Sequence, residues 1–182
     1  ACAEFDAFQK VLMDAGIAIF SFNEVKGAKT PDALFPNNWF VHLPDGRAFL
    51  MPMFAPNRRR ECRTDAVMIL GAKDIIDLRH LANDDIFLEG TGSLIFDHQN
   101  KTGWVCLSAR SSQKGIDTFA EKSGYKLISF NSVDENGLPV YHTNVIMAIS
   151  PKNVVLNLES VRDPQEKEKL VLVARFLSRL DA

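Results

Sequence analysis

The sequence predicts an α/β fold built from similar recurring units, and three observations carry that reading. Hairpin-like pairs of apolar runs occur three times, at Phe40 to Phe54, Ser93 to Leu107 and Val145 to Leu158. Each is followed by a charged, helix-like stretch and preceded by a short polar motif: Asn37-Asn38, Glu89-Gly90 and His142-Thr143-Asn144. The motifs are evenly spaced, with 51 positions from Asn38 to Glu89 and 53 from Glu89 to His142. An arginine also recurs at matching distance beyond each motif, as Arg58, Arg110 and Arg162. Such a period, with a hairpin and a helix in every repeat, points to a propeller or similar closed array whose units bury their apolar faces against one another. The helix in each unit argues against an all-β propeller.

The elements follow in order. Phe5, Phe8, Val11, Leu12 and Ala15 fall at helical spacing and Gly16 is a stop, so residues 1–24 read as the tail of a preceding unit, with IAIFSF as a buried strand. The first hairpin turns at Pro44-Asp45-Gly46, residues whose backbone preferences suit a tight turn. The second turns around Gln99 to Gly103 and the third at Ser150-Pro151-Lys152-Asn153. The expected organisation is one partial α/β-propeller domain over 1–182, with units near 25–79, 80–130 and 131–182.

Composition excludes several classes of function. The 182 residues are 46% hydrophobic and 24% charged, ample for a buried core. A formal charge of −2 gives no global attraction to nucleic acid or an anionic membrane. Arg58, Arg59, Arg60 and Arg63 form a basic cluster, but no surface aromatics interleave it as a nucleic-acid patch would require. No apolar run reaches the length of a membrane span, and ACAEFDAFQK lacks the features of a signal peptide, so a cytoplasmic location is the default expectation. Cys2, Cys62 and Cys106 are few and widely spaced, which indicates neither a disulfide framework nor a zinc site; no metal or organic cofactor is expected.

In a closed array, equivalent positions of each unit face a common axis, so Asn38, Glu89 and His142 are expected to converge there. Polar residues meeting among apolar strands are the expected appearance of a ligand or catalytic site. Taken singly, a buried histidine is more often a satisfied core residue, Glu-Gly a turn and Asn-Asn a cap. Their shared register is what favours a site.

The stretches TPDALFPNNWF, PMFAPNRRRE, LEGTGSL, CLSARSS and YHTNV, in this order, resemble the guanidine-modifying (pentein) superfamily. That group includes arginine deiminases, dimethylarginine dimethylaminohydrolases and amidinotransferases, and the sequence is most similar to its citrulline-utilisation hydrolase branch. The resemblance runs from Glu4 to Asp181 and implies the pentein fold, an α/β propeller of five pseudo-symmetric ββαβ blades, of which this chain supplies about three. It implies that His142 is the general acid/base, that Glu89 contacts the substrate nitrogens and assists proton transfer, and that Arg58 and Arg110 grip the substrate α-carboxylate. Asp32, in the first of these stretches, is implied as a further substrate-binding position. Arg59 and Arg60 read as a solvated helix start.

The family's arginine deiminases hold a cationic guanidinium with two aspartates, and Asn38 and Asn144 fall on those places. A guanidinium offers only donors and positive charge, whereas a neutral ureido group has a carbonyl oxygen that needs a donor, which asparagine supplies and aspartate does not. The pair of amides therefore favours citrulline over arginine. The implied chemistry is attack of a cysteine thiolate on the ureido carbon, with ornithine, carbon dioxide and ammonia as products. The family places that cysteine near the C-terminus after a glycine-rich stretch, and this chain ends at RFLSRLDA. No nucleophile is expected among Cys62 and Cys106, so a C-terminal portion in cis, or a partner chain such as a second copy, is expected to provide it. Two other readings stay open: deiminase or amidinotransferase activity, and a non-catalytic module that binds an amino acid.

Overall fold

The computed structural model of the chain describes residues 2–150 and 153–177. It opens with α1 (Cys2–Asp14), which ends where Gly16 takes a φ of 81°, the left-handed conformation that glycine adopts freely. The apolar stripe of α1 is not buried: Phe8 and Val11 are 61% and 64% exposed. The following IAIFSF segment, expected as a buried strand, is neither. Ile17, Phe20 and Phe22 are exposed, and no strand among the described residues lies beside the segment to complete a ladder, so its alternating sequence has nothing to pair with.

Three hairpins form where the apolar runs predict them. The first is β1 (Phe40–His42) and β2 (Arg47–Leu50), antiparallel around Gly46 with a φ of 92°. The chain then runs through a 3₁₀ turn at Arg58–Glu61 and α2 (Thr64–Ile69) to β3 (Asp74–Asp77), which lies parallel to β2. The second unit repeats the order. A short α3 (Gly90–Ser93) leads into β4 (Leu94–Asp97) and β5 (Thr102–Cys106), then α4 (Gln113–Ser123) and β6 (Lys126–Phe130), parallel to β5. Ser112 caps α4 by accepting the Gly115 N–H. The third consists of β7 (Met147–Ile149), β8 (Val154–Leu156) and α5 (Pro164–Leu177). Ser150 N–H to Asn153 O, 2.8 Å, closes its turn, and Pro151 and Lys152 lie outside the described residues. The fold is thus mixed α/β, with separate sheets ordered β1-β2-β3, β4-β5-β6 and β7-β8 that do not close among the described residues.

One core, of Trp39, Ala48, Leu50, Met53 and Val67, lies within the first unit, and two others lie between units. Val41, Leu43, Phe49 and Met51 of the first pack with Leu88, Leu94, Val105, Ile116 and Phe119 of the second. Trp104, Cys106 and Phe130 pack with Ile146, Met147, Val161 and Leu170 of the third. Strand β5 supplies both cores because successive side chains point to opposite faces: Val105 to one, Trp104 and Cys106 to the other. Arg47 adds a polar tie by donating to the carbonyls of Lys122 and Ser123, at 2.8 and 2.7 Å, where α4 ends and its dipole is negative. No helix among the described residues is long and apolar enough to cross a membrane.

Candidate active site

The polar motifs that precede the three hairpins occupy the starts of their units, where backbone turns hold them in place. Pro36 starts a 3₁₀ turn over Pro36–Asn38, leaving Asn38 buried and Asn37 free to accept from the Thr91 hydroxyl at 3.0 Å. Gly90 lies against this turn so closely that an added Cβ would sit 2.6 Å from the Asn37 carbonyl oxygen and 2.8 Å from those of Asn38 and Phe40. Gly92 keeps space open for two side chains, since a Cβ there would be 3.0 Å from Asn38 Oδ1 and 3.1 Å from His142 Nδ1. The backbone at His142 is pinned by its neighbour: the Thr143 hydroxyl accepts the Cys106 N–H and donates to the Ser93 carbonyl.

These supports bring three motifs onto one carboxylate. Glu89 Oε2 contacts His142 Nε2 at 2.7 Å and accepts from Asn38 Nδ2 at 3.1 Å and Arg110 Nη1 at 3.3 Å. Its Oε1 accepts the Phe54 N–H at 3.0 Å. The Glu89 side chain is fully buried. Burial pushes its carboxyl up, but the bonds from His142 and Phe54 and the Arg110 charge outweigh that, so the group is held below the ordinary value of 4.5. It is therefore ionised at neutral pH, and His142 Nε2 is the donor in their contact.

The depressed carboxyl has a consequence for stability. Because the folded value is the lower one, Glu89 contributes fully above about pH 4.5, the unfolded reference, and loses its contribution as pH falls through the folded value. Urea midpoints measured from pH 7 to pH 3 should fall for the wild type, and fall less for Glu89→Gln, which has no proton to take up. Parallel curves for the two proteins would contradict this assignment.

The other sequence-selected residues are placed differently. Arg58 is buried, and its guanidinium donates to Glu61 Oε1 and Oε2, to Phe35 O at 2.8 Å and to Asp32 O at 3.4 Å. Arg58 and Arg110 thus hold different carboxylates of the chain itself. Asp32 is half-buried and meets Arg58 through its carbonyl, while Asn144 is exposed and makes no hydrogen bond among the described residues. Arg59 is not merely solvated: it donates to Met53 O at 2.8 Å and Phe54 O at 3.2 Å, and its guanidinium lies 5.7 Å from the centre of the Phe87 ring. It braces the loop whose N–H binds Glu89. Sequence reasoning missed Glu61, Phe54 N–H and Tyr141. Only Glu61 left a signal, three residues after Arg58 on a turn where such positions meet.

Burial raises the Cys106 thiol to about 11, with Sγ 3.5 Å from Val140 O, and burial also raises Cys62. Neither is a thiolate at neutral pH. No cluster of three or more histidine, cysteine or acidic residues suited to a metal occurs among the described residues. A cavity of about 650 Å³ lies elsewhere, walled by α1, residues 20–36 and Arg60 and Arg63. Glu89, His142 and Asn38 do not line it.

Comparison with known proteins gives the cluster a context. The family model described as "N,N dimethylarginine dimethylhydrolase, eukaryotic" matches residues 1–176. No curated protein matches the chain. Similar solved structures include the N-terminal domain of ArgZ, an arginine dihydrolase of the ornithine–ammonia cycle in Cyanobacteria, in a substrate-bound mutant (TM-score 0.71, 15% identity, 94% of this chain and 59% of that one). The dimethylarginine dimethylaminohydrolase of Pseudomonas aeruginosa, as a mutant complexed with citrulline, has a TM-score of 0.70 at 16% identity, over 91% of this chain and 62% of that one. Unliganded AgrE gives a TM-score of 0.74 at 16% identity, over 93% of this chain and 24% of that one. The chain therefore spans about three fifths of the first two and shares their mixed α/β fold. Matched over nearly its whole length, it belongs to the N,N-dimethylarginine dimethylhydrolase family, within the guanidine-modifying pentein superfamily.

Proposed function

We propose that the protein carries the acid/base half of a C–N hydrolase acting on the ureido or guanidino end of an amino acid, with citrulline as the foremost substrate. The observation that supports this most is the convergence of Asn38 and His142, from the units on either side, on the buried ionised carboxylate of Glu89. In this reading Glu89 orients the substrate nitrogens and keeps the proton on His142 Nε2. His142 protonates the amine that leaves when the C–N bond breaks, then takes a proton from the water that releases the thioester-like intermediate. The attacking thiolate comes from a cysteine other than Cys2, Cys62 and Cys106, in cis or from a partner chain, so these 182 residues alone are inactive. Arg110 takes the α-carboxylate, with Arg58 and Asp32 behind it. The units belong to one partial propeller of five-blade type.

The amides at Asn38 and Asn144 carry the preference for a ureido group. Asn38 already gives one N–H to Glu89, which leaves its second for a ureido oxygen. A second reading, arginine as substrate, is favoured by the ionised Glu89, an acceptor suited to a guanidinium. Incubation of the full natural protein with each amino acid, recording ammonia and ornithine, separates the two. Ornithine from citrulline supports the first reading; release from arginine alone supports the second; ligand binding without turnover leaves a binding module. Changing both Asn38 and Asn144 to aspartate should shift preference toward arginine by tenfold or more, about 1.4 kcal/mol. Unchanged relative affinities would remove the amide argument.

A further inference from the structure

Glu89 already holds a guanidinium. Arg110 reaches Oε2 through Nη1 at 3.3 Å, and its guanidinium carbon lies 5.2 Å from the centre of the Tyr141 ring. Tyr141 is exposed, and its ring centre is 4.9 Å from that of His142. The head of Arg110 therefore sits between an exposed aromatic face and the buried carboxylate. Its contact with Glu89 is the one a substrate guanidinium would make. The Arg110 side chain is 30% exposed, whereas that of Arg58 is 11% exposed and paired with Glu61. When Arg110 leaves, His142, Asn38 and the Phe54 N–H still satisfy Glu89.

We propose that Arg110 is a two-position selector, resting on Glu89 and Tyr141 in the empty site and moving to the α-carboxylate of an arriving amino acid. The proposal rests on the reading of Glu89 and His142 as the reacting centre and adds how that centre is opened. A ligand with a carboxylate exchanges one ion pair for another and frees Glu89 for its own head group. A ligand with a guanidinium but no carboxylate has to displace Arg110 and leaves it unpaired, so it is selected against. Tyr141 is a positioning residue for the resting state, offering a π face to the guanidinium. Recognition of the amino-acid end is thereby coupled to unmasking of the carboxylate at the other.

The test compares citrulline and arginine, which carry the α-carboxylate, with agmatine, which is arginine without it. Dissociation constants are measured by calorimetry on the full chain, wild type, Arg110→Ala and Tyr141→Leu, with thermal melts to verify folding. In Arg110→Ala, agmatine should bind about tenfold more tightly, as expected for relief of one charge-assisted contact, while citrulline and arginine, which in the wild type only exchange one ion pair for another, should shift by less than about threefold. In Tyr141→Leu, which keeps the carboxylate-binding arm but removes its resting place, all three should tighten by about threefold. Equal shifts of agmatine and arginine in Arg110→Ala, or agmatine unmoved, overturn the selector. If Arg110→Ala fails to fold, Tyr141→Leu decides, and unchanged or weaker binding there overturns it. Wild-type protein that binds none of the three overturns the underlying reading of the site.

Discussion

Glu89→Ala should abolish measurable turnover in the full natural protein and also destabilise its fold. The side chain is buried and accepts from His142, Asn38, Arg110 and the Phe54 N–H. Its removal leaves a buried histidine and a backbone donor without acceptors, and breaking a buried charged cluster in this way costs roughly 3–5 kcal/mol. On activity, loss of a positioned proton-transfer partner accounts for about 10²–10⁴-fold. Denaturant titration and steady-state rates of ammonia release check the two halves separately. A stable, fully active Glu89→Ala protein would reduce the cluster to packing.

Gly90→Ala is expected to act without touching any titratable group. The backbone there has a φ of 22°, and the new Cβ would fall 2.6 Å from the carbonyl oxygen of Asn37. That oxygen and those of Asn38 and Phe40, both at 2.8 Å, are all backbone, so the Pro36–Asn38 turn or α3 has to shift. The strain and overpacking amount to something on the order of 3 kcal/mol. A shift of that turn also moves Asn38 from Glu89. The measurement is a thermal melt together with citrulline affinity, and both should decline. Wild-type values for both would mean that the close approach of the two backbones is not required.

Much of the fold was legible because hairpins are local. Alternating apolar runs flanking Pro44-Asp45-Gly46 specify a turn whatever the rest of the chain does, and Gly46 adopts the positive φ that such a turn needs. The parallel strands β3 and β6 are less visible in sequence, since their partners lie across a helix. IAIFSF misled for the converse reason. Its side chains suit a strand, but a strand exists only beside another, and the sequence does not state which neighbour is present. At the site, the repeat period singled out Asn38, Glu89 and His142 as one set before any geometry was known. It did not reveal what Arg58 and Arg110 hold. Arg58 pairs with Glu61, outside the repeated motifs, and Arg110 with Glu89 beside the Tyr141 ring, pairings that depend on side-chain rotamers no spacing encodes. Phe54 contributes a backbone N–H, which every residue but proline carries and which therefore leaves no mark in composition.

Strand β5 places Val105 in one core and Trp104 and Cys106 in the next, and that sharing governs how the molecule comes apart. A boundary formed by a loop would let adjacent units melt independently. Here the boundary is itself a buried strand, so loosening either core strips the packing from one face of β5 and weakens its hold on the other core. The units around it are therefore one cooperative block, and amide protons of β5 should exchange only through the largest opening this chain undergoes. The cluster around Glu89, fastened to Ser93 and Cys106 through Thr143, is anchored directly to this shared strand.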